Sequence, residues 1–187
     1  MMRINITSEQ HEKITSICNK YDIEVSGIIS LKEGDSGYDV VDIDFDDREL
    51  IRYANSSCIH FNGEEYKKML AYGIATSQTG LFVRFHTHLY SLSARLSMDD
   101  FNMLKQNQET ALEIANIKET KPVIVSETIV TSGEIGFFYF DPDERKCKRI
   151  PVYVDGKERE YKSEILVGST PVRLKFGTLG FIEDKKK

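Results

Sequence analysis

The stretch Leu81-Phe82-Val83-Arg84-Phe85-His86-Thr87-His88, followed by Ser97-Met98-Asp99-Asp100, constrains this chain more than any other part of it. Alternation over 81–88 reads as a strand with Leu81, Val83 and Phe85 on one face, which sets His86 and His88 side by side on the other. About ten residues on, an acid falls in the first turn of an expected helix, with Ser97 placed to cap it. A carboxylate on so defined a backbone can swing back to the two imidazoles. His86, His88 and Asp100 are therefore candidate metal ligands, and a tetrahedral zinc held by three ligands keeps its fourth position for water.

A chain of 187 residues with 40% hydrophobic and 29% charged content can bury one full core and is short for two, so one domain over 1–187 is expected. The net charge of -5, without a clustered basic stripe, argues against a nucleic-acid partner. Cys18, Cys58 and Cys147 are odd in number and widely spaced, which fits reduced thiols in the cytoplasm better than a disulfide framework. The first residues turn polar before an apolar run develops, and no run approaches the roughly 18 residues of a membrane span. The expectation is a soluble, cytoplasmic protein with no membrane partner.

Residues 8–20 read as an amphipathic helix capped by Thr7 or Ser8, with Ile14, Ile17 and Cys18 inward and His11 on the solvated side. A strand over 23–31, a turn over 32–37 and a second strand over 38–45 form a hairpin. Alternation places Val41, Ile43 and Phe45 on one face of its second strand and Asp42 and Asp44 on the solvated other. Residues 46–62 are irregular, and His60 between Ile59 and Phe61 reads as a half-buried structural residue. A helix from Gly63 to about Ala75 presents Tyr66, Met69, Leu70 and Tyr72, and a serine-rich loop over 89–96 leads to a long helix from 98 to about 117. Pro122 ends that region, and strands are expected over 123–130, 133–140 and 147–154. Together these make an α+β fold, a mixed β-sheet flanked by helices, with its core over about 8–154. The extension 155–187 is expected to hold a strand at 171–176 and to end in a charged, disordered tail.

Each motif also has a plain structural reading. Ser97 with Asp100 is a common way to begin any helix, and Glu24 can be a polar residue opening a strand. Glu24 gains interest beside a metal, because a carboxylate there could take a proton from the activated water and deliver it to a leaving amine, with Gly27 permitting close approach.

In combination these residues resemble the JAB/JAMM metalloproteases, the MPN-plus domains, whose signature is a glutamate on an early strand, then His-x-His, then Ser-x-x-Asp. Glu24-Val25-Ser26-Gly27-Ile28-Ile29 is similar to the family's glutamate segment, His86-Thr87-His88 to its zinc histidines, and Ser97-Met98-Asp99-Asp100 to its closing motif. The resemblance covers roughly residues 8–154 and implies a cytidine deaminase-like α-β-α domain. It also implies one zinc ion per chain on His86, His88 and Asp100, with Glu24 as general acid and base and Ser97 stabilising the oxyanion. Family members cleave isopeptide or peptide bonds at the C-terminus of ubiquitin or ubiquitin-like proteins. The implied partners are thus a ubiquitin-like protein or its conjugates, together with the E1- and E2-like enzymes of a bacterial conjugation system. Maturation of a ubiquitin-like or sulfur-carrier precursor and a non-catalytic MPN scaffold are the alternatives. This chain has Leu89 where the family has proline, and its loop from His88 to Ser97 is one residue longer. If the extra residue precedes Ser97, Asp100 is the third ligand; if it falls within the motif, Asp99 takes that place. The fixed relation of Ser97 to Asp100 within one helical turn favours Asp100.

Overall fold

The computed structural model describes residues 2–46, 51–55, 58–89, 91 and 94–159. Along them run β1 (Ile4–Ile6), α1 (Ser8–Thr15, prolonged by a 3-10 turn at Ser16–Asn19), β2 (Ser26–Gly34), β3 (Gly37–Phe45), β4 (Ile51–Ala54) and β5 (Ile59–Phe61). Then follow α2 (Gly63–Thr76), β6 (Leu81–Thr87), α3 (Met98–Lys118), β7 (Ile124–Val130), β8 (Ile135–Asp141), β9 (Lys146–Ile150), β10 (Val152–Val154) and β11 (Lys157–Glu158). Nine strands form one mixed sheet in the order β11-β10-β1-β3-β2-β6-β7-β8-β9, and β4 with β5 makes a separate ribbon. The strand expected at 171–176 and the charged tail lie outside the described residues.

Helices cover both faces of the sheet. On one side Ile14 and Ile17 of the α1 segment join a core with Leu81, Val83, Phe85, Ile135 and Phe137. On the other, Tyr66, Leu70 and Ile74 of α2 and Phe101, Leu104 and Ala111 of α3 close over Phe82, Val125, Ile129 and Phe138. The expected α+β architecture is therefore present, and every residue of β6 is buried because that strand has helices above and below it.

Two side chains explain why α3 carries buried polar residues. The Gln108 amide acts as a short length of strand: its nitrogen donates to Val123 O at 3.1 Å and its oxygen accepts from Val125 N at 2.8 Å, tying the helix to the start of β7. Asn107 donates to the buried Tyr66 hydroxyl at 2.7 Å and joins α3 to α2. Each amide thereby meets a polar group of the neighbouring element inside an apolar layer.

Several sequence expectations need correction. β1 was not foreseen; three residues are too few for a visible alternation, and it exists because it pairs in parallel with both β3 and β10. The expected strand 147–154 is two strands, since Pro151 lacks an N–H and breaks the ladder, while its carbonyl accepts from Ile4 N at 2.9 Å. β9 and β10 lie near opposite ends of the sheet order with one residue between them, so the sheet curls until its ends meet at that corner. The hairpin of β2 and β3 contains a bulge: Ser30 pairs with Asp42 but Leu31 pairs with Val40, which turns Val40 into the core and leaves Val41 55% exposed. The irregular region 46–62 includes the β4–β5 ribbon, on which His60 is exposed and faces Tyr53 rather than being half-buried. His11 is buried, because it shares the helical stripe of Ile14, Thr15 and Cys18. Tyr72 is 72% exposed, on the side of α2 opposite Leu70 and Ile74. β2 starts at Ser26, so Glu24 precedes the strand rather than belonging to it.

Gly27 lies between Phe45 on β3 and Phe85 on β6, whose rings meet edge to face with centroids 5.8 Å apart. A Cβ there would come within 2.0 Å of Asp44 O and 2.7 Å of the Phe85 ring. Gly27→Ala is expected to lower stability by about 1–3 kcal/mol in a urea melt through overpacking; an unchanged midpoint would show that the strands part without cost.

Candidate metal centre

β6 ends at Thr87, and His88 follows with its backbone N–H donating to Val130 O on β7 at 2.9 Å. Strand geometry thus delivers both imidazoles to the end of the β6–β7 pair. The third group comes from the first turn of α3. Ser97 caps that helix by accepting from Asp100 N at 3.1 Å, while Asp100 Oδ2 accepts from Ser97 N at 2.7 Å. This capping box fixes the Asp100 side chain before any ligand arrives. It sets Asp100 Oδ1 3.1 Å from His86 Nε2 and Asp100 Oδ2 3.4 Å from His88 Nε2.

The two Nε2 atoms are 3.0 Å apart. Two imidazole nitrogens at that distance cannot both offer lone pairs, so a proton or a cation must lie between them. Zinc bonds of about 2.0–2.1 Å would place tetrahedral donor atoms about 3.3 Å apart. The Nε2–Nε2 separation of 3.0 Å and the 3.1 Å from Asp100 Oδ1 to His86 Nε2 lie close to that edge length, and one donor atom from each of the three residues lies within 4.8 Å of the others. The group His86, His88 and Asp100 could therefore hold a metal ion.

The charges around the site agree with its geometry. Burial opposes a charge on His86, yet Asp100 and Glu127 together raise its pKa well above the ordinary imidazole value. Burial also opposes the Asp100 carboxylate, but His86 and His88 hold it well below the usual range. Glu24, 6% exposed, is raised chiefly by burial, while His86 and His88 pull it down and Asp100 pushes it up. Its backbone is pinned from two sides. Glu24 N donates to Asn55 O at 2.7 Å, and Thr87 clamps the neighbouring Val25 through both its N–H and its Oγ1, at 2.9 Å each. The residue between the two histidines is thus the one that holds Glu24's segment to the site.

No protein-family model and no curated protein matches this chain. A solved structure similar to it is the solution structure of protein DSY2949 from Desulfitobacterium hafniense, at 15% identity and a TM-score of 0.43, covering 87% of this chain and 95% of that one.

The structure brings together His86, His88, Ser97 and Asp100, sets the Glu24 segment alongside them through the pairing of Val25 with Thr87, and leaves Asp99 exposed. Ser97 Oγ is engaged as the cap of α3. Sequence reading missed Glu127 on β7, which accepts from His86 Nδ1 at 2.8 Å, and Thr87. The available signal for Glu127 was a lone acid in step with Val125 and Ile129 inside an apolar strand. Cys18 lies beneath the site, donating to the same Val130 carbonyl as His88 N, but burial pushes its thiol up to about 11. It stays protonated near neutral pH and is unsuited to nucleophilic attack.

Two predictions follow from the donor set. In the metal-free chain the His86 pairing contributes stability that is fully present below about pH 6.5 and is lost as pH rises through the higher folded value. The Asp100 pairing is present above its unfolded value and is lost as pH falls through its lower folded one. Zinc must displace protons from the histidines, so its affinity rises over the same pH range in which the metal-free pairing weakens. The rise in melting temperature on adding zinc is therefore expected to grow between about pH 6 and about pH 8; calorimetry showing the same shift at both, or none, contradicts the site. Asp100→Asn is expected to weaken zinc binding by more than the roughly 10–100-fold typical of an outer-shell change, and Asp99→Asn to leave it unchanged. Chelator competition on the two variants reads the difference, and a reversed order would exchange their roles.

Proposed function

We propose that this protein is a zinc-dependent peptidase of JAMM type that hydrolyses the bond following the C-terminus of a ubiquitin-like protein. The observation that carries this reading is that the β2–β6 pairing sets Ser26 beside His86 and Val25 beside Thr87, which brings Glu24 alongside the His86, His88 and Asp100 group in the order along the chain that the family motif has. A zinc-only structural site would use four protein ligands, whereas three leave a position open. Zinc held there would act as a Lewis acid and make water nucleophilic near neutral pH.

The chain's own residues divide the remaining work. His86, His88 and Asp100 would hold the ion, with His88 the more open to solvent at 21% side-chain exposure against 8% for His86. Glu24 accepts the proton of the attacking water and returns it to the leaving amine nitrogen. Ser97 keeps Asp100 oriented through the capping box and stands at the entrance to the same turn. The substrate class, the JAB/MPN-like domain and a cytoplasmic setting with conjugation enzymes as partners belong to this reading through the motif resemblance. No helix among the described residues is long and apolar enough to cross a membrane.

The test is Glu24→Gln, which keeps size and hydrogen-bonding reach and removes basicity. Zinc content is expected to be unchanged, while turnover of an isopeptide conjugate or a linear ubiquitin-like fusion falls by about 10²- to 10⁴-fold. Parent-level hydrolysis with zinc bound would remove Glu24 from the mechanism, and cleavage of the linear fusion alone would make the protein a precursor-processing enzyme.

A further inference from the structure

We propose that Glu127 is the positioning residue that fixes His86 in the tautomer metal binding requires; this rests on the metal-site part of the reading above and not on the substrate. β6 and β7 pair in parallel with Arg84 opposite Glu127, so Glu127 shares with Arg84 and His86 the face covered by α2 and α3, between Val125 and Ile129. Its side chain is 1% exposed, and its Oε1 accepts from His86 Nδ1 at 2.8 Å. The other oxygen, Oε2, is buried with no hydrogen-bond partner.

A buried carboxylate costs free energy unless it is paired and hydrogen-bonded. If Glu127 served only to neutralise Arg84, the guanidinium directly across the strand pair would point at it. Arg84 instead forms a two-pronged pair with Asp46, at 2.6 and 3.3 Å, and its guanidinium lies over the Phe61 and Tyr66 rings. Glu127 is left with the imidazole of His86 as its hydrogen-bonding partner. A carboxylate accepts and does not donate, so the proton must be on Nδ1. When a metal ion displaces one proton from His86, Nδ1 keeps its own against Glu127, so the lone pair that is freed lies on Nε2, toward His88 Nε2 and Asp100.

The experiment measures binding and not turnover. Zinc affinity by chelator competition is expected to fall about 10–100-fold in Glu127→Gln, because the amide is neutral and can donate to Nδ1, favouring the tautomer that blocks Nε2. Glu127→Asp, which restores the charge on a shorter arm, is expected to recover part of that loss. A measurement on the unaltered chain guards against a folding defect in the variants: long-range proton–nitrogen NMR of the zinc-loaded, histidine-labelled protein should show His86 bound through Nε2 with Nδ1 protonated. Coordination through Nδ1, or Glu127→Gln at parent affinity with an unchanged circular dichroism spectrum, overturns the role of Glu127 and leaves the metal site standing. No zinc uptake by the unaltered chain overturns both. Uptake without peptidase activity leaves this role intact while the substrate reading fails.

Discussion

A strand buried on both faces has nowhere to put a polar side chain except against another polar one, and β6 is such a strand. It carries Arg84, His86 and Thr87 into the interior, and each is met there: Arg84 by Asp46, His86 by Glu127 and Asp100, and Thr87 by the backbone of Val25. These partners come from four different parts of the chain. Pairing them therefore fixes how β2, β3, β7 and α3 are placed about β6, and the geometry at its end is a by-product of satisfying its middle. Removing one partner would leave a buried charge uncompensated, which is why such networks are more costly to break than they are to leave out.

The start of α3 shows how little separates fold from site. Asp100 receives the Ser97 N–H as half of a capping box and faces both imidazoles with the same carboxylate. Capping the helix and facing the two imidazoles thus fall to one carboxylate. The helix is held at its first turn by the residue that would coordinate, so the coordinating oxygen has little rotamer freedom left to lose.

What could be read from the sequence was periodic or punctuated. The alternation of 81–88, the long pattern of 98–118 and the glycine-rich turn before β3 each repeat a simple rule over enough residues to stand out, and the elements they indicate are present. Where a single residue breaks the rule, the pattern misleads. The bulge at Val41 shifts one half of β3 by one position, and Pro151 splits what looks like a continuous strand. His11 and His60 exchange their expected environments, because burial of an isolated residue depends on which element covers it rather than on its neighbours in sequence. For the candidate site, the residues of the motif were legible and their supports were not. Glu127 and Thr87 act across strand pairs whose register only the folded chain defines.

The corner at Pro151 has a kinetic side. β1 borders β10, and Ile4 lies beside Val152, so a strand from near residue 5 completes its hydrogen bonding only when one from beyond residue 150 arrives. Contacts of such sequence separation form late, since the loop entropy is lost before the contact rewards it. While the chain is being made, β1 can pair with β3 alone, and one of its edges stays open through the folding of everything between. A three-residue strand is a short edge to leave open, which limits what a second chain could pair with during that interval.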